Sequence, residues 1–371
     1  MSARFDIALY ANGASHHVCD LLDALAGRPQ VGAVTLITEA AVGEDRLKLG
    51  WKGEIVGAYS QIEAPTAAEV EAFVAASGED SFHIFVGMRH LRCVTEGISA
   101  CIRHGRRFAI MHETRVSEGL AGLARYVQSW LTEGRIRRHG IVLAIGAHGP
   151  KWFLRTGYRP KQIFPFAYFI ASHAPVAAAP RGQGGPVRIG YVGRLEDAKG
   201  LPEVLEMAAL VQGPFELLIV GGGTWAPACE ELASRDSRVR YLGVLPVEQV
   251  QQFMSTLDVL VQPSRTVDDG WGVVVSEALL NGVAVVASAR VGASACLADP
   301  VRGRIVPPRR PQALADAIGD MAAGGAFSQE FRNLRQQWAL SHLTGDVGAD
   351  YLLQIIGSLH SNVKRPKSFL L

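Results

Sequence analysis

Two carboxylates eight positions apart, Asp269 and Glu277, flank an apolar run in DDGWGVVVSEALLNG, Asp268 to Gly282. Acids held on either side of such a run could each grip one of two separated hydroxyl clusters on a polar ligand. The strand-like LDVLVQPS leads into the loop VQPSRTVDDGWG. A helix is then predicted from about Gly272 to Asn281, stopped by the common Asn-Gly signal. Asp269 would lie just before this helix and Glu277 about one and a half turns inside it, both projecting from one rigid element. The plainer alternative makes Asp269 a helix-dipole partner and Glu277 a solvated helix residue.

A second group of charges lies in YVGRLEDAKG, Tyr191 to Gly200. It matches neither the GxGxxG dinucleotide fingerprint nor the GxxxxGK[ST] phosphate loop. It offers Gly193 at a strand end, then Arg194, then Lys199 beside a helix start. A guanidinium binds phosphate oxygens bidentately and an ammonium acts as a movable point charge, so the pair suits a diphosphate. Both could equally be surface residues of a βα loop. The three glycines of IVGGGTW allow close backbone approach to a ligand, or only a tight turn.

Elements must position these residues. FDIALY, VGAVTLIT, FHIFVG, RFAIMH and GIVLAIG read as buried strands in the first half, with helical patterns around Glu69–Ala76, Thr95–His104 and Leu120–Leu131. Ile170 to Pro186 is rich in Ala, Pro and Gly and reads as a linker. Strands then restart with VRIGYVG, FELLIVGGG, VRYLG, LDVLVQPS and VAVVAS. Leu201, Val204, Leu205, Ala208 and Val211 follow the helical period behind Pro202. Residues 328–360 read as a final helical region and the tail SNVKRPKSFLL as loose. Strands alternating with helices mean α/β, with parallel sheets covered on both faces. The expected organisation is a Rossmann-like domain over 1–170, a linker over 171–186, a second Rossmann-like domain over 187–338, and a helix with a tail over 339–371. Ligands of such sheets bind beyond the carboxyl ends of the strands, so a cleft between the domains is the expected site.

Composition narrows the class. The 371 residues are 48% hydrophobic, yet no uninterrupted apolar stretch reaches the roughly 18 residues of a membrane span. MSARFDIALY reads as a first strand rather than a signal peptide. Cys19, Cys93, Cys101, Cys229 and Cys296 are scattered without a CxxC pair, which suits a reduced, cytoplasmic chain. Residues 103–161 hold twelve Lys/Arg against three acids. That excess is either a solvated basic face or an attraction to an anionic membrane or acidic acceptor. No recognition motif points to nucleic acid.

GYVGRLEDAKG, LLIVGGG, VQPSRTVDDGWGVVVSEALLNGVAVVAS and GRIVPP, in that order, resemble the retaining glycosyltransferases of family 4 over about residues 187–325. AIGAHGPKWFLRTGYRPKQIFPF is similar to the end of the first domain in some bacterial polysaccharide glycosyltransferases. The resemblance implies the GT-B fold, with the donor nucleotide-sugar held mostly by the second domain and the acceptor by the first. It implies a last helix that crosses back to the first domain. Glu277 would then bind ribose hydroxyls. Asp269 and the backbone amides of Gly270, Trp271 and Gly272 would meet the donor sugar. Arg194 and Lys199 would hold the diphosphate, with Gly193 allowing close approach, and Leu245 would border the base. His112, in IMHETR, falls where the family often places a histidine near the sugar. This chain has Asp269 where the family usually has Glu, and Asn12-Gly13-Ala14-Ser15 where many members have Gly-Gly.

The implied reaction transfers a sugar from a UDP-, GDP- or ADP-sugar to a hydroxyl of a saccharide or lipid-linked saccharide, with retention. Arg194 and Lys199 would stabilise the leaving charge, the domains would close over the donor, and no metal or other cofactor is implied. Bacterial surface polysaccharide synthesis at the inner face of a membrane fits the basic first domain. A non-catalytic nucleotide-sugar-binding relative and a GT-B sugar-nucleotide epimerase are the alternatives. A dehydrogenase is disfavoured because neither half carries GxGxxG followed by an acid.

Overall fold

The computed structural model describes residues 4–40, 57–116, 118–171, 185–267, 270–359 and 363–370. These fall into two compact units. One comprises the described residues up to 171 together with those from 343 onward, and the other the described residues from 185 to 342.

The first unit has seven strands: β1 (Phe5–Ala11), β2 (Val31–Thr38), β3 (Ser60–Glu63), β4 (Phe82–Val86), β5 (Arg107–Glu113), β6 (Ile141–Ile145) and β7 (Ile163–Phe166). All pair in parallel, in the order β3-β2-β1-β4-β5-β6-β7. Leu9, Ile84, Ile110 and Leu143 are wholly buried, as strands covered on both faces require. The helices are α1 (His16–Ala26), α2 (Ala67–Ala76), α3 (Arg92–His104), α4 (Gly119–Thr132), α5 (Gly134–His139) and α6 (Gly149–Arg155). A reciprocal capping box between Thr66 and Glu69 starts α2.

The second unit has β8 (Val187–Val192), β9 (Phe215–Val220), β10 (Val239–Tyr241), β11 (Val259–Gln262), β12 (Ala284–Ser288) and β13 (Gly303–Val306). They are parallel in the order β10-β9-β8-β11-β12-β13. Its helices are α7 (Leu201–Met207), α8 (Ala226–Arg235), α9 (Val247–Ser255), α10 (Val273–Leu280), α11 (Pro311–Ala323) and α12 (Gln329–His342).

The predicted helical region over 328–360 comprises two helices, and the boundary expected at 338/339 falls between His342 and Gly345. After α12 the chain pairs Thr344 with Ile170, and Thr344 caps α13 (Gly345–Ser358). α13 belongs to the first unit. It lies so close to α1 that a side chain at Gly345 would meet the Asp20 carbonyl at 2.7 Å. Arg28 joins it through Asp346 and Asp350, at 3.0 and 2.7 Å.

The tail is not loose where described. Phe369 is buried against Phe169 and Tyr351, and Arg365 lies over the Phe164 ring and donates to the Pro160 carbonyl. Most of the predicted linker lies outside the described residues. All five cysteines are buried and free.

His83 on β4 is a polar group inside the first core, 1% exposed. Tyr10 Oη meets its Nδ1 at 3.1 Å, and Ser77 and Ser81 hydroxyls meet its Nε2 at 3.2 Å. Burial, with a smaller push from Arg106, lowers its pKa to about 4. Above pH ~6.5 the ring is neutral in both folded and unfolded chains. Between there and pH 4 only the unfolded chain takes up the proton, so stability falls with acidification, by about 3 kcal/mol in all. Unfolding free energies measured across this range for the protein and for His83→Gln should show a shallower decline in the variant. Equal declines would refute the assignment.

Candidate functional site

The strand order of the second unit reverses between β8 and β11. Helices that follow strands on either side of such a point diverge, which leaves a crevice beyond the carboxyl ends. The loops after β8, β9, β10, β11 and β12 therefore form one rim, and backbone hydrogen bonds lace them together.

On one side, Gly193 N–H donates to the Val220 carbonyl at 3.1 Å and Leu195 N–H to Gly222 at 2.9 Å. Gly221 N–H donates to Gly243 at 2.8 Å. Gly221 has φ +140°, and a Cβ there would lie 1.8 Å from the Gly193 carbonyl oxygen. Gly221 thus serves close loop-to-loop packing.

On the other side, the loop after β11 clamps the turn that carries Lys199. Arg265 N–H donates to Ala198 O at 2.9 Å. Its guanidinium Nε lies 2.8 and 2.9 Å from the two oxygens of Glu203, and one Nη lies 2.9 Å from Asp197. Gly200 takes φ +76° with Pro263 O where a Cβ would be, 2.1 Å away. Beyond it, Gly292 and Ala293 N–H groups donate to Gly270 and Trp271 carbonyls at 2.9 and 2.7 Å.

The predicted site residues take definite places on this rim. Gly193, Arg194 and Lys199 follow β8. Arg194 is exposed and ion-paired with Glu196 at 3.0 Å. Lys199 is half-buried at the end of the 3-10 turn Asp197–Lys199. The helix behind it, α7, has only seven residues, so side chains rather than a long helix dipole supply most of the positive charge. Leu245 is half-buried in the loop after β10.

Gly270, Trp271 and Gly272 lead into α10. The Gly270 N–H already donates to Val267 O at 3.2 Å. The Trp271 ring is in the core, 1% exposed, with Nε1 donating to Ser276 Oγ at 2.9 Å. A ligand can therefore meet Trp271 through its backbone but not its ring. Glu277 is half-buried on α10, while Val275, Ser276, Ala278 and Leu279 bury the opposite face. Asp268 and Asp269 lie outside the described residues.

His112 lies in the first unit, at the end of β5. Its Nδ1 lies 2.6 Å from the Glu113 carbonyl, which can only accept, so Nδ1 carries the proton and Nε2 keeps its lone pair. Burial pushes its pKa down against the opposing hydrogen bond, and Arg115 and Arg89 push the same way as burial. The ring is neutral near pH 7.

Sequence reasoning missed Arg265 and Glu203. Glu203 is 4% exposed, and a carboxylate buried in an otherwise apolar helix start was the available signal.

Residues 186–323 match the family Glycosyl transferases group 1. A D-inositol 3-phosphate glycosyltransferase of Corynebacterium urealyticum is 36% identical over 146 residues, 36% of this chain and 34% of that protein. The amylovoran biosynthesis glycosyltransferase AmsK of Erwinia amylovora is 30% identical over 151 residues, 38% of this chain and 37% of that protein. The chain thus spans little more than a third of each relative's length. Anabaena HepE, solved with UDP, superposes with a TM-score of 0.73 at 16% identity, covering 95% of this chain and 100% of HepE. Sucrose-phosphate synthase of Thermosynechococcus elongatus gives 0.72 at 19% identity, covering 96% and 99%. The shared fold is GT-B.

Replacing Arg265 by Met would leave the buried Glu203 carboxylate unpaired, at a cost of about 3 kcal/mol or more. Denaturant titration should show that loss, with Glu203→Gln in the same chain recovering much of it. A single variant as stable as the parent would mean that the clamp contributes nothing.

Proposed function

We propose that the protein is a retaining glycosyltransferase of family 4 type, because residues 186–323 match the family Glycosyl transferases group 1 and the fold is GT-B. It transfers a sugar from a nucleoside-diphosphate sugar to a hydroxyl of a saccharide or lipid-linked saccharide, in bacterial surface polysaccharide synthesis. One observation carries the proposal: Gly193, Arg194, Lys199, Gly270 to Gly272 and Glu277 all lie on loops or a helix at the strand-order reversal of the second unit. A UDP-sugar donor is supported by the HepE structure with UDP. The polysaccharide role is supported by AmsK, named for amylovoran biosynthesis.

In this reaction the bond from the anomeric carbon to the diphosphate oxygen breaks, and the acceptor oxygen bonds to the same face. The acceptor's proton passes to the leaving phosphate, so no carboxylate acts as nucleophile. Arg194 and Lys199 meet the charge that builds on the diphosphate. The Arg194–Glu196 pair is exposed, and such pairs are worth about 1 kcal/mol or less, so a diphosphate can displace the carboxylate at little cost. Glu277 receives the ribose hydroxyls, and Asp269 with the Gly270–Gly272 backbone receives the sugar. His112 contributes a neutral Nε2 acceptor to a sugar hydroxyl. No metal enters the scheme, because the two cations supply the charge.

A metal-free thermal-shift panel with UDP, GDP, ADP and their sugar conjugates tests donor binding. One base should raise the melting temperature, and Glu277→Ala should abolish the shift. No shift with any nucleotide would favour a non-catalytic relative, and a sugar changed without acceptor would favour an epimerase. At saturating donor, Lys199→Ala should lower turnover by roughly 10²-fold. Unchanged turnover would remove Lys199 from the mechanism.

A further inference from the structure

α4 is an amphipathic helix turned inside out. In GLAGLARYVQSWLT, Leu120, Leu123, Val127, Trp130 and Leu131 recur at intervals of three and four and form one stripe. Such a stripe normally faces a core. Here Leu120 is 87% exposed and Leu131 77%, and the other three are also exposed. The helix docks instead through its small and aromatic residues: Gly122 and Ser129 are buried, and Tyr126 stacks on Trp152 at 4.5 Å. The exposed leucines and Val127 line a shallow apolar groove.

Positive charge dominates around this stripe, although Glu118, which precedes the helix, is exposed. Glu133 is the only acid from 119 to 139, and it is buried against Arg89 at 2.7 Å. Arg135 and Arg138 on α5 are exposed, as is Arg155 beside the exposed Leu154. Arg137, in contrast, is built into the fold. It donates to the carbonyls of Ser129, Thr156 and Trp130 and lies over the Trp130 ring. An exposed apolar stripe whose flanking charge is mainly cationic is complementary to an anionic bilayer surface. Such a surface offers acyl chains to the stripe and phosphates to the flank.

We propose that α4 lies in the plane of an anionic membrane surface, with its Leu, Val and Trp side chains at the acyl boundary and Arg135 and Arg138 at the phosphates. The arrangement does not depend on the transferase reaction, and vesicle binding is read without nucleotide.

The test is co-sedimentation of the full chain with vesicles of phosphatidylcholine, alone or mixed with phosphatidylglycerol. The protein should pellet with the mixed vesicles at low salt and far less with phosphatidylcholine. Leu123→Asp with Leu131→Asp should reduce partitioning tenfold or more at an unchanged melting temperature. Arg135→Gln and Arg138→Gln should each weaken it about fivefold, more at low salt than at high. Failure to pellet with either vesicle, or equal pelleting by the Asp variants, would overturn the proposal. So would a dimer in solution that the Asp variants dissociate, since the stripe would then be a self-association face.

Discussion

A carboxylate taken out of water must be compensated, and Glu203 is compensated by one residue 62 positions away, Arg265. Burial makes the pair costly to break although its net stabilisation is modest. What the pair secures is position. It ties α7 to the loop after β11 across the point where the strand order reverses. The same guanidinium reaches Asp197, in the turn that ends at Lys199. The cation proposed for the diphosphate and the loop leading to α10 are therefore placed by one shared clamp, and the backbone lacing on either side extends that order to the whole rim.

Much of this architecture was legible because parallel strands buried on both faces read as continuous apolar runs. β3 and β7 were not legible for physical reasons. β3 is a polar edge strand, SQIE, and β7 is an edge strand interrupted by Pro165. An edge strand has one partner and tolerates residues that a central strand excludes. The break between α12 and α13 falls a few residues after the boundary expected at 338/339, because Thr344 caps α13 there. Short helices such as α5 and α6 lack a long enough period to announce themselves.

Within the site, local motifs were legible and long-range partnerships were not. Gly193, Lys199 and Glu277 could be named because strand ends and helix starts are local features. The Arg265–Glu203 clamp depends on two loops meeting, which spacing does not encode. The basic segment shows the same limit. A count of charges treats Arg135, Arg137 and Arg138 alike, whereas Arg137 is spent on three carbonyls and a tryptophan ring. The apolar pattern of α4 was equally plain in sequence, but its period alone does not say whether the stripe faces protein or solvent.

The return of the chain to the first unit has a consequence for how the protein is made. α1 is covered by α13, through Gly345 against Asp20 and Arg28 against Asp346 and Asp350. Those partners leave the ribosome only after the whole of the second unit has been synthesised. The domain begun first is thus the domain finished last. Until residues 343–370 arrive, a nascent first unit presents the uncovered side of α1 and the unmatched rings of Phe166 and Phe169. The second unit, described from 185 to 342, can close its own core in the meantime.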